Sequence, residues 1–144
     1  MIKKITLAIV LLFNLIFNVN ADKANFFDEA KNLFENEKYE DSKFLFQRSI
    51  VFNPKHSKSY LYLAKIYNIE ENELEEKKNL NTTLLLEPDN EEAIYLLIEI
   101  ELKRSNFSVV KELRNNLKSI CSLLCEKIST INERLDDIEA KNKS

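Results

Sequence analysis

The chain has 144 residues, of which 31% are charged and 44% hydrophobic, and its formal net charge is −3. It contains no glycine, so it cannot form a phosphate-binding glycine loop, a dinucleotide fingerprint or a serine nucleophile elbow. The mildly acidic balance and the lack of a basic block argue against a nucleic-acid partner. With two prolines and no glycine, few residues interrupt helices, and we expect an all-α fold.

The first 21 residues have the pattern of a secretory signal peptide. Lys3 and Lys4 give the N-terminus a positive charge, an apolar run extends from Ile5 to Phe17, and the small residue Ala21 stands at the expected cleavage point. A membrane-spanning helix needs about 20 apolar residues, and this run is shorter. The alternative to a cleaved signal peptide is an uncleaved membrane anchor. We therefore expect a periplasmic or secreted bacterial protein that contacts the membrane only if this segment stays uncleaved. Residues 22–144 carry a net charge of −5, because the segment holds two of the 21 basic residues and none of the 24 acidic ones.

The central part of the chain repeats itself. Pro54 and Pro88, the only prolines, lie 34 residues apart, and the same shift aligns Tyr60 with Ile94. Apolar residues after Pro54 follow the i, i+3, i+4, i+7 spacing of an amphipathic helix. A second apolar run follows each polar break, so each unit is predicted to be a helix, a short turn and a second helix.

This spacing resembles the tetratricopeptide repeat, whose signature runs from a large aromatic through Leu-Gly, Tyr, Ala and Phe to Pro. The second unit carries Tyr60, Leu63, Ala64, Tyr67 and Pro88 at these places. The first carries Phe26, Ala30, Leu33, Tyr39, Ser42, Phe46 and Pro54. The third has Ile98 where a small residue is expected and lacks a closing proline. The resemblance implies a helical hairpin solenoid over residues 22–120, with units of about 23–56, 57–90 and 91–120.

The C-terminal segment, residues 121–144, is predicted to be an amphipathic helix with a polar tail. No helix breaker follows Phe107, and apolar residues from Leu113 to Ile138 advance in steps of three or four. This pattern predicts one long helix with a narrow apolar stripe. The helix either caps the open end of the repeat stack or forms a coiled-coil seam for a homo-oligomer.

Two cysteines, Cys121 and Cys125, lie four residues apart in this segment. Export to an oxidising compartment permits a disulfide within the chain or between chains, but helical i, i+4 geometry is poor for an intrachain bridge. Because of this geometry, packed free thiols are the interpretation that the sequence favours. The single histidine, His56, has no nucleophile or carboxylate fixed beside it, so we predict no catalytic residue, no metal site and no cofactor.

The tetratricopeptide resemblance also implies a binding surface along the first helices of the units. It places nine residues there: Phe27, Lys31, Phe34, Leu61, Lys65, Asn68, Tyr95, Glu99 and Leu102. Aromatic, lysine and asparagine side chains suit a peptide with some acidic groups. In the alternative, several of these residues pack against the C-terminal helix. The set does not reproduce the full basic clamp that some family members use for a C-terminal carboxylate.

These observations favour an exported, non-catalytic module that docks a peptide or helix of a cell-envelope protein. A second hypothesis is an oligomeric scaffold assembled through the C-terminal helix. A third is a thiol-redox protein that uses Cys121 and Cys125.

Overall fold

The structure is a computed structural model that describes residues 26–141, with side chains through residue 138. The predicted signal segment lies outside these residues. The described part consists of helices and contains no strand: α1 Phe26–Glu35, α2 Tyr39–Phe52, α3 Ser57–Ile69, α4 Glu73–Leu86, α5 Glu91–Lys103, α6 Phe107–Ile120 and α7 Lys127–Lys141. This architecture confirms the predicted all-α fold class. Between residues 26 and 141, no helix combines the length and apolar character needed to cross a membrane.

The first six helices form three hairpins, α1–α2, α3–α4 and α5–α6, and each hairpin packs on the next. Each pair is joined by a three-residue link in which one residue has a left-handed backbone, with φ of 59° at Glu37, 56° at Glu71 and 60° at Ser105. The next residue's N–H donates back to the preceding helix, as from Lys38 to the carbonyl of Leu33. Glycine is the usual residue for this helix-ending conformation, and this chain forms the same turn three times without it.

The core lies where the helices of each hairpin meet their neighbours. Ala30 and Ala64 are fully buried, and the Ser42 hydroxyl donates to the Ala30 carbonyl at 2.8 Å. A small residue permits this close approach of α1 and α2. At the equivalent place in the third hairpin Ile98 is also fully buried, and it packs with Leu117 in a cluster that includes residues of α7. The third hairpin therefore accommodates the larger side chain by sharing its core with α7.

The predicted continuous helix from Phe107 is wrong. Helix α6 ends at Ile120, and α7 begins at Lys127, so residues 121–126 form a non-helical loop. Glu91, at the start of α5, accepts hydrogen bonds from the backbone N–H groups of Ser122 and Leu124 at 2.6 and 2.8 Å. In a continuous helix those N–H groups would donate to carbonyls four residues earlier. The chain breaks here because a distant carboxylate takes up the donors that the helix would use.

Helix α7 turns back and packs against the third hairpin. Ile131 is 1% exposed and Leu135 is 5% exposed, and both lie in the cluster around Ile98. Arg134 on α7 donates to Glu99 on α5 at 2.6 Å. Helix α7 therefore covers the end of the stack, and its apolar face is not a free coiled-coil seam.

Candidate functional site

The first helices of the hairpins border a cavity of about 500 Å³. Helices α1 and α3, the loop before α5, the start of α5 and Leu123 of the 121–126 loop contribute to its lining. The lining residues are Phe27, Lys31, Lys58, Leu61, Tyr62, Glu87, Asp89, Asn90, Glu91, Glu92 and Leu123.

The apolar part of the cavity is held by aromatic packing. The Phe27 ring lies edge-on to Tyr62 at 5.7 Å and contacts Phe46 at 5.6 Å between ring centroids. His56 packs edge-on against Phe27 at 4.6 Å, and its Nδ1 lies 2.8 Å from the Ser59 hydroxyl. The expectation that no serine lies beside His56 is therefore wrong, and the Ser59 hydroxyl donates to Ser49 at 2.9 Å. Because these rings contact one another on several sides, the apolar surface is preformed.

Two lysines and four acidic residues are among the lining residues of the cavity. Lys58 makes no ion pair within residues 26–138, and Lys31 pairs only with exposed Glu35 at 3.6 Å. Among the four carboxylates, Glu92 pairs with Lys65 at 2.6 Å, whereas Glu87 accepts a hydrogen bond from the neutral Asn90 at 2.8 Å. The lining therefore carries charges of both signs, and no buried carboxylate neutralises its two lysines.

Glu91 ties the edge of the cavity to the 121–126 loop. Its carboxylate accepts hydrogen bonds from the N–H groups of Ser122, Leu123 and Leu124 and from the Ser122 hydroxyl. The shortest donor–acceptor distance for each of these four donors lies between 2.6 and 3.0 Å. Partial burial raises the pKa of Glu91, but the hydrogen bonds from Leu124, Ser122 and Leu123 outweigh it and lower the pKa to about 2. Glu91 is therefore ionised at neutral pH, and it holds Leu123 beside the cavity with its side chain 83% exposed.

The structure distributes the nine predicted binding residues among three environments. Phe27, Lys31 and Leu61 line the cavity, and Lys65 reaches its wall through the ion pair with Glu92.

Three of the remaining residues, Tyr95, Glu99 and Leu102, belong to the contact with α7. Leu102 is 7% exposed in the shared cluster, Tyr95 packs against that cluster, and Glu99 pairs with Arg134. This is the alternative that the sequence left open, in which the C-terminal helix covers part of the predicted surface.

The last two predicted residues lie away from the cavity. Phe34 packs edge-on against Tyr39 and Tyr62, at 5.4 and 5.2 Å. Asn68 donates to Glu76 at 2.9 Å. Burial raises the pKa of Glu76, and the hydrogen bond from Asn68 opposes that effect. The contacts of Phe34 with Tyr39 and of Asn68 with Glu76 each hold a hairpin together, and the contact of Phe34 with Tyr62 joins the first hairpin to the second.

The two cysteines are joined in the structure, with a sulfur–sulfur distance of 2.05 Å, so the prediction of packed free thiols is wrong. The objection that a helix disfavours this bridge does not apply, because Cys121 and Cys125 lie in the non-helical segment between α6 and α7. Within residues 26–138, no group of three or more His, Cys, Asp and Glu side chains is arranged to hold a metal ion.

Sequence reasoning missed several lining residues, and some of them had a signal. Lys58, Leu61, Tyr62 and Lys65 follow the i, i+3, i+4, i+7 spacing, so the face of α3 that includes Leu61 already predicts Lys58 and Tyr62. Leu123 had no such signal, because only the contact with Glu91 brings it to the cavity.

Comparison with solved structures identifies the fold. The type III secretion chaperone SycD of Yersinia enterocolitica, solved with a peptide of the translocator YopD, matches with a TM-score of 0.70 at 15% identity, over 81% of this chain and 92% of that chain. The Sgt2 TPR domain of Aspergillus fumigatus matches with a TM-score of 0.69 at 12% identity, over 87% and 84%. This chain has the tetratricopeptide-repeat fold. The CopN–Scc3 complex also contains a similar chain, with a TM-score of 0.64 at 16% identity, over 84% of this chain and 72% of that one. No protein-family model and no curated protein matches this chain.

In the tetratricopeptide fold seen here, α1, α3 and α5 are the first helices of the three units. The cavity therefore lies on the surface that these helices form, between the first unit and the start of the third.

Proposed function

We propose that this protein binds an extended segment of another protein in the cavity between α1, α3 and the start of α5. The observation that carries the proposal is the pairing of a preformed apolar surface with two lysines that no buried carboxylate neutralises. Phe27, Leu61 and Tyr62 suit an apolar side chain of the ligand. Lys31 and Lys58 suit a carboxylate on a neighbouring residue.

The solved structures with a similar fold support a binding role rather than a catalytic one. The SycD structure contains a bound peptide, and CopN–Scc3 is a complex of two proteins. We extend the proposal to an exported protein with a cell-envelope partner because residues 1–21 have a signal-peptide pattern. N-terminal sequencing of the protein from the periplasmic fraction should give a chain that starts at Asp22. A chain that still starts at Met1 in the cytoplasm would contradict export.

The binding test needs a defined probe, and a phage-displayed library of random dodecapeptides supplies one. Selection on the purified protein should enrich peptides with an apolar residue next to Asp or Glu. The variant Lys58→Glu replaces an attractive charge by a repulsive one and should bind the enriched peptides at least about tenfold more weakly. A tenfold loss corresponds to roughly 1.4 kcal/mol of binding free energy. Lys118→Glu makes the same charge change on exposed α6, away from the cavity lining, and should leave binding unchanged. Failure to enrich any peptide, or an equal loss in both variants, would overturn the proposal.

A further inference from the structure

The loop between α6 and α7 differs from the other inter-hairpin loops in carrying no helix breaker. Pro54 and Pro88 lie in the earlier loops, whereas residues 121–126 contain neither proline nor glycine. The apolar spacing of α6 also continues through Leu124 to Ile128 in α7. Nothing in the local sequence therefore prevents α6 and α7 from joining into one helix over residues 107–141.

Two specific interactions hold this loop in its bent form. The Glu91 carboxylate takes the N–H groups of residues 122–124, and a disulfide joins Cys121 to Cys125. Side chains four residues apart on a helix have Cβ atoms about 5–6 Å apart, whereas a disulfide requires about 3.5–4.5 Å. The covalent bond is thus incompatible with an undistorted helix through this segment, while the Glu91 contact is reversible.

Straightening the loop would remove α7 from its own third unit. Ile131 and Leu135 would leave the cluster around Ile98 and Leu117, which would then lie open. The one α7 that fits this site side chain for side chain is that of a second copy of the chain. Exchange between two copies restores the contacts of α7 with the third hairpin, including the pair between Arg134 and Glu99, and only the contacts of the bent loop are lost.

We propose that the Cys121–Cys125 disulfide keeps this protein monomeric, and that its reduction allows two copies to exchange α7 through a straightened helix over residues 107–141. A dithiol reductant supplies the two electrons and two protons: the S–S bond breaks, two thiols form, and the dithiol becomes a disulfide. This interaction goes beyond the proposed peptide binding and does not depend on it.

The test compares the oxidised protein with the double variant Cys121→Ser/Cys125→Ser. Both are unfolded in guanidinium and refolded at about 0.5 mM, because mass action favours a dimer at high concentration. Size exclusion with light scattering should show the oxidised protein as a monomer, 16.9 kDa for the full chain, and the variant with its mass shifted to about twice that value. Wild-type protein refolded in excess dithiothreitol should behave like the variant, which provides a second measurement if the variant folds poorly.

A control variant lowers the helical tendency of the loop and removes the Ser122 hydroxyl bond to Glu91, which by itself weakens the bent form. Ser122→Gly/Leu123→Gly, added to the cysteine variant, keeps the backbone donors for Glu91 but disfavours a helix. This variant should return to the monomer.

Carbodiimide coupling distinguishes exchange from simple side-by-side association. In the cysteine variant that also carries Arg134→Lys, the new amine lies beside Glu99. In an exchanged dimer the coupled product is a dimer on a denaturing gel. Coupling only within single chains, or monomers throughout both refolding experiments, would overturn the proposal.

Discussion

Because α7 is buried on the third unit, truncating Leu135 is predicted to lower the free energy of unfolding substantially. Its side chain is 5% exposed in the cluster around Ile98. Leu135→Ala removes three carbons, worth about 0.8 kcal/mol each, and leaves a cavity, so we expect a loss of about 3 kcal/mol in the free energy of unfolding. For a domain of this size that corresponds to a decrease of roughly 10 °C in Tm. Urea denaturation followed by circular dichroism measures the free energy, and the thermal melt measures Tm.

Leu85 provides the matched control. It also lies in a helix, α4, but its side chain is 81% exposed. Leu85→Ala makes the same chemical change and the same change in helix propensity, and it should alter stability by no more than about 0.5 kcal/mol. If the two variants unfold alike, α7 does not pack on the third unit in solution, and the assignment of its apolar face to the core is refuted.

Two further predictions concern the loops. Because the pKa of Glu91 is lowered from 4.5 to about 2, its stabilising contribution should be complete above pH 4.5 and lost as the pH falls toward 2. The NMR shifts of amides 122–124 should titrate near pH 2, and Glu91→Gln should abolish this titration; a midpoint near 4.5 would contradict the hydrogen-bonding scheme. Glu71→Gly should stabilise the protein by about 0.5–1 kcal/mol, since its φ of 56° favours glycine. Glu112→Gly, inside α6, should destabilise it by about 1 kcal/mol, and a lower Tm for Glu71→Gly would refute the strain argument.

The repeat architecture was predictable because a helical hairpin is a local structure. The 34-residue spacing of Pro54 and Pro88 predicted where one hairpin ends and the next begins. The left-handed turns at Glu37, Glu71 and Ser105 keep the same 34-residue spacing. They gave no signal in the sequence, because the residue that usually marks such a turn is glycine, and the chain has none.

The break after α6 was not predictable from local sequence, because its causes are tertiary. The helical spacing through Leu124 and Ile128 is real, yet Glu91 lies 31 residues before Ser122 and removes its amide from the helix. A carboxylate at the start of α5 meets these amides only after the third hairpin has folded. The local preference and the tertiary contact therefore favour different conformations of the same six residues.

The same long-range contact explains why only part of the proposed binding surface was predictable. The repeat register correctly brings Phe27 and Leu61 to one cavity, since equivalent positions of stacked first helices share a face. It assigns Tyr95 to that face by the same logic, but the bent loop returns α7 onto the third unit and covers it. A straightened loop would remove Leu123 from the cavity and α7 of the same chain from Tyr95, which α7 of a second copy would then cover. The conformation of residues 121–126 thus determines whether Leu123 lies at the cavity and whether α7 of the same chain covers Tyr95.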